Sequence, residues 1–391
     1  MNYLAQGVRA TDLKRTNERV VLDDVRSTGA TTAPEIGKRT GLSKPTVGSA
    51  LRTLQGAGFV SAQGFKEGRS GQAPLLWAVD ERAGLVLSGD IGTQWVRLGL
   101  CSLSGRPRGT VRERSESGSA ADVLRALDRA LGRLLQQADA EKESIVYSVM
   151  GTPGVVDPIS GHLQHASNLP GWDAPSTLAA LQDLFGANFI IMKDVYLAAL
   201  GEAEARASSE TKDFVLLSIG AGVGAAVVLG GHPMSGAHGL AGEIAFLPLG
   251  VDPLQPGTPS TRGSLEEAAS VDAMLSVAGA RRPFTGIPEL MEAARLGDPA
   301  AKKAVENESR LIAYALSSLI LIVDPPLVVL TGSVGLLGGP EFARTVRNDL
   351  ARLLPVNIPS VEASAAGELA TLQGAQTKGI ELAWDLLVAN L

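Results

Sequence analysis

At 391 residues, 45% hydrophobic and 19% charged, the chain exceeds one ordinary core but has no apolar run near the roughly 20 residues of a membrane span, so a soluble protein of two or three domains is expected. Its single cysteine, Cys101, excludes an intrachain disulfide and a cysteine-rich zinc cluster, and the opening "MNYLAQGVRATDLKRTNERV" lacks the apolar core of a secretory signal, which predicts a cytoplasmic location and no membrane partner. The net charge of −6 is uneven: residues 1–80 hold eleven Lys/Arg against seven Asp/Glu, a balance of +4, and the rest carries −10, so only the first part is suited to approach a polyanion.

"TNERVVLDDVRSTG" predicts a first helix with Val20, Val21 and Val25 turned to a core. Thr32-Ala33-Pro34-Glu35 then fits a capping box, with a proline permitted in the first turn, and the helix it opens ends near Thr40-Gly41. Ser43 caps the next helix and Pro45 sits in its first turn. Val47, Leu51 and Leu54 form the buried face of that helix, leaving Lys44, Thr46, Ser49 and Arg52 on its other sides.

Two short helices across a glycine turn, the second with small, polar and basic residues outward, form a helix-turn-helix pattern. The strand-like runs around "GFKEGRSG" add a wing bearing Lys66 and Arg69. A helical hairpin that merely packs on the larger domain would share the turn. The caps, wing and positive balance together favour double-stranded operator DNA, contacted by Ser43, Lys44, Pro45, Thr46, Ser49 and Arg52 and by the wing's Lys66 and Arg69.

From Gly84 the texture changes to apolar strands punctuated by glycine, with helical spacing of Leu124, Leu127, Leu131 and Leu134 in the stretch that follows. "GLVLSGDIGTQWVRLGLCSLSG" and "DFVLLSIGAGVGAAVVLGGHPM" share a design, two apolar strands around a glycine turn, which predicts an α/β fold with two lobes of related build and a ligand cleft between them. Asp90, Asp194, Glu243, Glu266 and Glu267 fall where strands end or helices begin. Taken singly, each is as well explained as a helix cap or a solvated charge.

Their order is not arbitrary. "DIG", "GTPGVVD", "SNLPGW", "KDVYLAALGE", "IGAGVGAAVV", "GLAGEI", "SLEEAAS" and "DPPLVVLTGSVG" together resemble the ROK family of bacterial sugar-responsive repressors and sugar kinases, from about Leu85 to the C-terminus. The resemblance implies residues 1–80 as a winged helix-turn-helix domain and 81–391 as a two-lobed, actin-like or hexokinase-like sensor and oligomerisation domain. It implies Asn168, Asp194, Glu243 and Glu266 as ligands to sugar hydroxyls, with Asp194 at the position of the kinases' general base. Carboxylates that each accept two donors suit a polyhydroxyl ligand.

Departures from the family pattern matter as much. Ala245 and Phe246 replace the glycine and histidine after "GEI", and "GTPSTRGSLEE" replaces the cysteine-rich loop, so no zinc and no other cofactor is expected. Among the histidines, only His162 and His165 lie close in sequence, in a loop that reads as solvated. Thr93, Gln94 and Trp95 replace the kinase loop's glycine, threonine and lysine, and their bulk obstructs phosphate approach.

Lys193 stands for an asparagine and Tyr196 for another. Lys193 is expected either to face the cleft and favour an anionic or modified carbohydrate, or to pair with Asp194 and lower its pKa. The sequence thus reads as a DNA-binding regulator, a repressor of carbohydrate-use genes acting as a homodimer, with no catalytic activity expected. A sugar kinase and a regulator with a vestigial sensor are the alternatives.

Overall fold

The computed structural model describes residues 10–66, 73–157, 160–164, 166, 169–249, 262–279 and 283–389. The N-terminal part is three helices, Ala10–Thr28, Ala33–Thr40 and Lys44–Gly56, followed by antiparallel strands Val60–Phe65 and Leu75–Val79. The Glu35 carboxylate closes the start of the second helix, accepting from the Thr32 amide at 3.1 Å and the Thr32 hydroxyl at 2.9 Å. Gly41, at φ 73°, ends that helix in the left-handed conformation, and Ser43 accepts from the Thr46 amide at 3.4 Å to start the next.

Val47, Leu51 and Leu54 are buried as the spacing predicts, against Val21, Leu22, Val25 and Ile36. Val20 is a correction: it is 37% exposed, and Leu22 takes its place. At about 100° per residue, positions 21, 22 and 25 share one face and position 20 falls on the opposite side. Arg39 clamps the first two helices together with a bidentate pair to Asp24 at 2.8 and 2.7 Å.

Two five-stranded sheets follow, and they have the same plan. In the first, Leu85–Ile91 leads an antiparallel meander with Trp95–Ser102 and Pro107–Arg114, while Ile145–Thr152 and Phe189–Lys193 add in parallel on its other side. In the second, Phe214–Ile219 leads Val223–Leu229 and His232–Pro233, and Leu327–Thr331 and Ser360–Ala363 add in parallel. The expected amphipathic helix is Ala120–Ala138, with Leu127, Leu131 and Leu134 buried and Leu124 half-buried against the first sheet.

The helix Ala370–Ala389 joins three parts of the molecule. It lies so close to the helix Asp194–Ala205 that a Cβ on Gly374 would stand 1.8 Å from the Leu197 carbonyl oxygen, and one on Gly201 2.1 Å from that of Ala370. Near its other end Trp384, 1% exposed, meets Phe59 edge-on at 5.7 Å, carries the Arg26 guanidinium 5.1 Å over its ring, and donates its indole N–H to Leu103 O at 3.1 Å. One apolar cluster therefore contains Ile36, Leu54 and Phe59 of the N-terminal part together with Val86, Leu103 and Trp384.

Candidate functional site

Two carboxylates mark the centre of the cleft. Asp90, next to last in Leu85–Ile91, faces its cross-strand partner Arg97, which binds it at 3.1 Å and reaches Glu368 at 3.1 Å with its other nitrogen. Burial pushes the Asp90 carboxyl up against the pull of Arg97. Asp194 opens the helix that follows Phe189–Lys193 and accepts from the Val195 amide at 2.6 Å. Burial first and the Asp90 charge second raise its pKa to about 7, outweighing the Val195 N–H and the charge of Lys193.

This overturns the expected pairing of Lys193 with Asp194. At the junction of strand and helix the two side chains diverge, and Lys193 pairs instead with Glu243 at 2.5 Å, within reach of Ala241 O at 3.4 Å. Lys193 is therefore already neutralised, and Asp194 is a weaker acid rather than a stronger one. Lys193 borders a pocket of about 630 Å3 that Tyr196, Met192, His162 and Met234 also line.

Glu266, 6% exposed in the short helix Ser264–Ala269, accepts from the Val223 amide at 3.0 Å and from Arg262 Nε at 3.1 Å. It holds the second sheet's hairpin against the segment after Arg262. Ala245 is buried and Phe246 is 46% exposed, so the side chain in the histidine's place projects outward. Trp172 of "SNLPGW" is a buried anchor, its indole N–H donated to the Thr152 hydroxyl at 2.6 Å. Asn168 and Arg69 lie outside the described residues, as does His165.

Ser43, Lys44, Pro45, Ser49 and Arg52 are exposed along one side of the helix Lys44–Gly56 and its cap, and Thr46 is half-buried beneath them. Lys66 is exposed on the wing and has a partner the sequence did not suggest. Its ammonium is held by the Glu35 carboxylate, which that contact and Thr32 bring down to about 2, so Lys66 fastens the wing to the second helix.

Sequence reasoning missed Arg97 and Arg262, which hold Asp90 and Glu266. Both left a signal: a hairpin turning at residues 93–94 sets 97 opposite 90, and 262 and 266 have the i,i+4 spacing of a helical ion pair. The two arginines face a recess of about 580 Å3 between the sheets, lined by Asp90, Gln94 and Trp95 on one side and by Arg262, Asp272 and Ser333 on the other.

Two sheets of one strand order, facing across a cleft that carries half-buried carboxylates, define an actin-like protein of the sugar-kinase type. The chain belongs to the ROK family, whose sequence model matches residues 86–377. It is 24% identical over 344 residues to a putative xylose repressor of Caldicellulosiruptor, across 83% of this chain and 85% of that protein. It is 30% identical over 262 residues to the kanosamine kinase of Amycolatopsis mediterranei, across 66% of this chain and 83% of the kinase. Among solved structures, a ROK family transcriptional regulator homologous to the E. coli MLC protein shares the fold at a TM-score of 0.71 and 20% identity, covering 96% of this chain and 99% of that one. Among the described residues no helix is long and apolar enough to cross a membrane.

Proposed function

We propose that the protein is a sugar-responsive transcriptional repressor, in which residues 1–80 bind operator DNA and residues 81–391 sense a carbohydrate in the interlobe cleft. The observation that carries this reading is the exposed face of the helix Lys44–Gly56 on a part whose apolar core is continuous with the sensor's, so that a change in one is felt in the other. Similarity to a xylose repressor over 83% of the chain supports it. Lys44 and Arg52 supply the cations, and the small Ser49 permits close approach to a groove. Two copies read two half-sites, since one such head buries too little surface for tight recognition. Tyr314, Leu321 and Ile322, exposed along the helix Pro299–Val323, give a second copy an apolar stripe to cover.

Arg52→Ala is expected to weaken operator binding by about 1–3 kcal/mol if Arg52 reads a base. Titration of the variant against its operator and against unrelated DNA checks this, because an equal loss on both makes Arg52 a phosphate contact. The function as a whole is tested by the melting temperature of the protein with a panel of sugars, each stabilising one then titrated into DNA binding. A sugar that stabilises and changes DNA affinity supports the proposal; DNA binding that no sugar alters leaves a repressor without a sensor.

One observation favours a sugar kinase: Asp194, near 7, has the proton affinity of a general base working at neutral pH. Against it, the Gly92 amide that would face a phosphate donates to Trp95 O at 2.9 Å, closing the turn. ATP-dependent phosphorylation of a sugar that Asp194→Asn abolishes would establish the kinase.

A further inference from the structure

We infer that the outer part of the interlobe cleft is a second carbohydrate subsite with Trp95 as its stacking platform, so that the effector is a disaccharide or longer. This rests on the cleft being the sugar site.

Trp95 opens the strand Trp95–Ser102 and lines the 580 Å3 recess with 37% of its surface exposed. Its ring is held by two guanidinium groups of the neighbouring strand, Arg112 at 4.0 Å and Arg114 at 5.9 Å from the centroid. A held aromatic ring with a free surface in a cleft is suited to the apolar C–H face of a pyranose, which buries area there without losing its hydroxyls.

The polar groups around it fit the same ligand. Arg97 is bound to Asp90 and Glu368, and Arg262 to Glu266 with Asp272 at 3.9 Å, so both arginines that line the recess have a carboxylate beside them. A triphosphate would have to displace or oppose Asp90 and Asp272. A neutral ring bearing hydroxyls, each donor and acceptor at once, meets donors and acceptors in alternation without a net charge to satisfy.

Position completes the argument. Asp90 lines the recess and, through the parallel registers Asp90–Gly151 and Gly151–Met192, stands level with the strand end that leads into Asp194, so a second ring linked to one held at Asp194 has the recess beside it to enter. The loop amide that would hold a phosphate is spent on the Gly92–Trp95 turn, and a Cβ on Gly92 would lie 3.0 Å from Trp95 O.

The test compares xylose with xylobiose, and glucose with cellobiose and maltose, by calorimetric titration of the full chain, its Trp95→Ala and Trp95→Phe variants, and the wild type with a non-hydrolysable ATP analogue. The expected result is one disaccharide bound at least tenfold tighter than its own monosaccharide. That preference should fall to twofold or less in Trp95→Ala and return in large part in Trp95→Phe, and the ATP analogue should not compete. Disaccharides bound no tighter than monosaccharides, a preference that survives Trp95→Ala, or competition by the nucleotide overturns the subsite while leaving monosaccharide sensing intact. Failure of every sugar of either length overturns the sensor reading and the subsite with it.

Discussion

Trp384→Ala is expected to cost about 3–5 kcal/mol and to free the N-terminal part from the sensor. The side chain is 1% exposed, and its removal deletes the edge contact with Phe59, the cover over which Arg26 lies and the hydrogen bond to Leu103 O. The loss falls at a seam instead of inside one lobe, so the effect extends beyond stability. Unfolding of the wild type should be cooperative across the seam, whereas in the variant the N-terminal part should melt separately and earlier. Trp384→Phe, which keeps an aromatic edge but loses the indole N–H, should lie between the two. Denaturant unfolding followed separately by DNA binding and by far-ultraviolet circular dichroism checks this; a single coincident transition within about 1 kcal/mol of wild type would remove Trp384 from the seam's energetics.

The second large effect concerns pH. The ordinary carboxyl value for Asp194 is 3.8, and in the folded protein it is about 7, so the folded state binds a proton that the unfolded chain releases between those values. The contribution of Asp194 to stability is thus full below pH 4, declines as pH rises through 7, and is absent above it. Shared charge with Asp90 and partial exposure reduce the ideal figure, leaving a difference on the order of 2–3 kcal/mol between pH 4 and pH 8. Glu35 and Asp122, both held near 2, act in the opposite sense on acidification and are common to wild type and variant. Hence Asp194→Asn should be more stable than wild type at pH 8, and their difference should shrink as pH is lowered. Urea unfolding at pH 5, 6, 7 and 8 measures it, and a difference that is flat with pH would show that Asp194 does not titrate in this range. A sugar hydroxyl donates to the ionised form, so wild-type affinity should weaken below pH 7, toward a limit of about tenfold per unit.

How far the sequence was legible depended on the range of the interaction. Caps and amphipathic spacing are local, and Thr32–Glu35, Ser43 and the Val47, Leu51 and Leu54 face followed directly from them. The repeated hairpin texture likewise foretold two related lobes, because a strand pair around a glycine turn is a local object. What the sequence misled on was direction. Lys193 and Asp194 are adjacent in the chain, yet the turn from strand to helix sends one to Glu243 and leaves the other with Asp90. Lys66 and Glu35 are thirty-one positions apart and meet only because the wing folds back on the second helix. The role of Trp384 had no local signal, since an aromatic residue in a C-terminal helix states nothing of the N-terminal part it will meet.

That meeting has a consequence for biosynthesis. The chain leaves the ribosome N-terminus first, so the three N-terminal helices and the strands after them emerge long before Trp384 and Ala383, which complete the cluster around Phe59 and Ile36. Until those residues appear, the nascent protein displays an uncovered apolar seam beside Leu103 and Phe59, a surface for chaperones or for neighbouring chains on the same message. A growing chain can have its N-terminal helices while their orientation is still unset. Only synthesis through residue 384 completes the cluster that sets how the N-terminal part sits on the rest of the molecule.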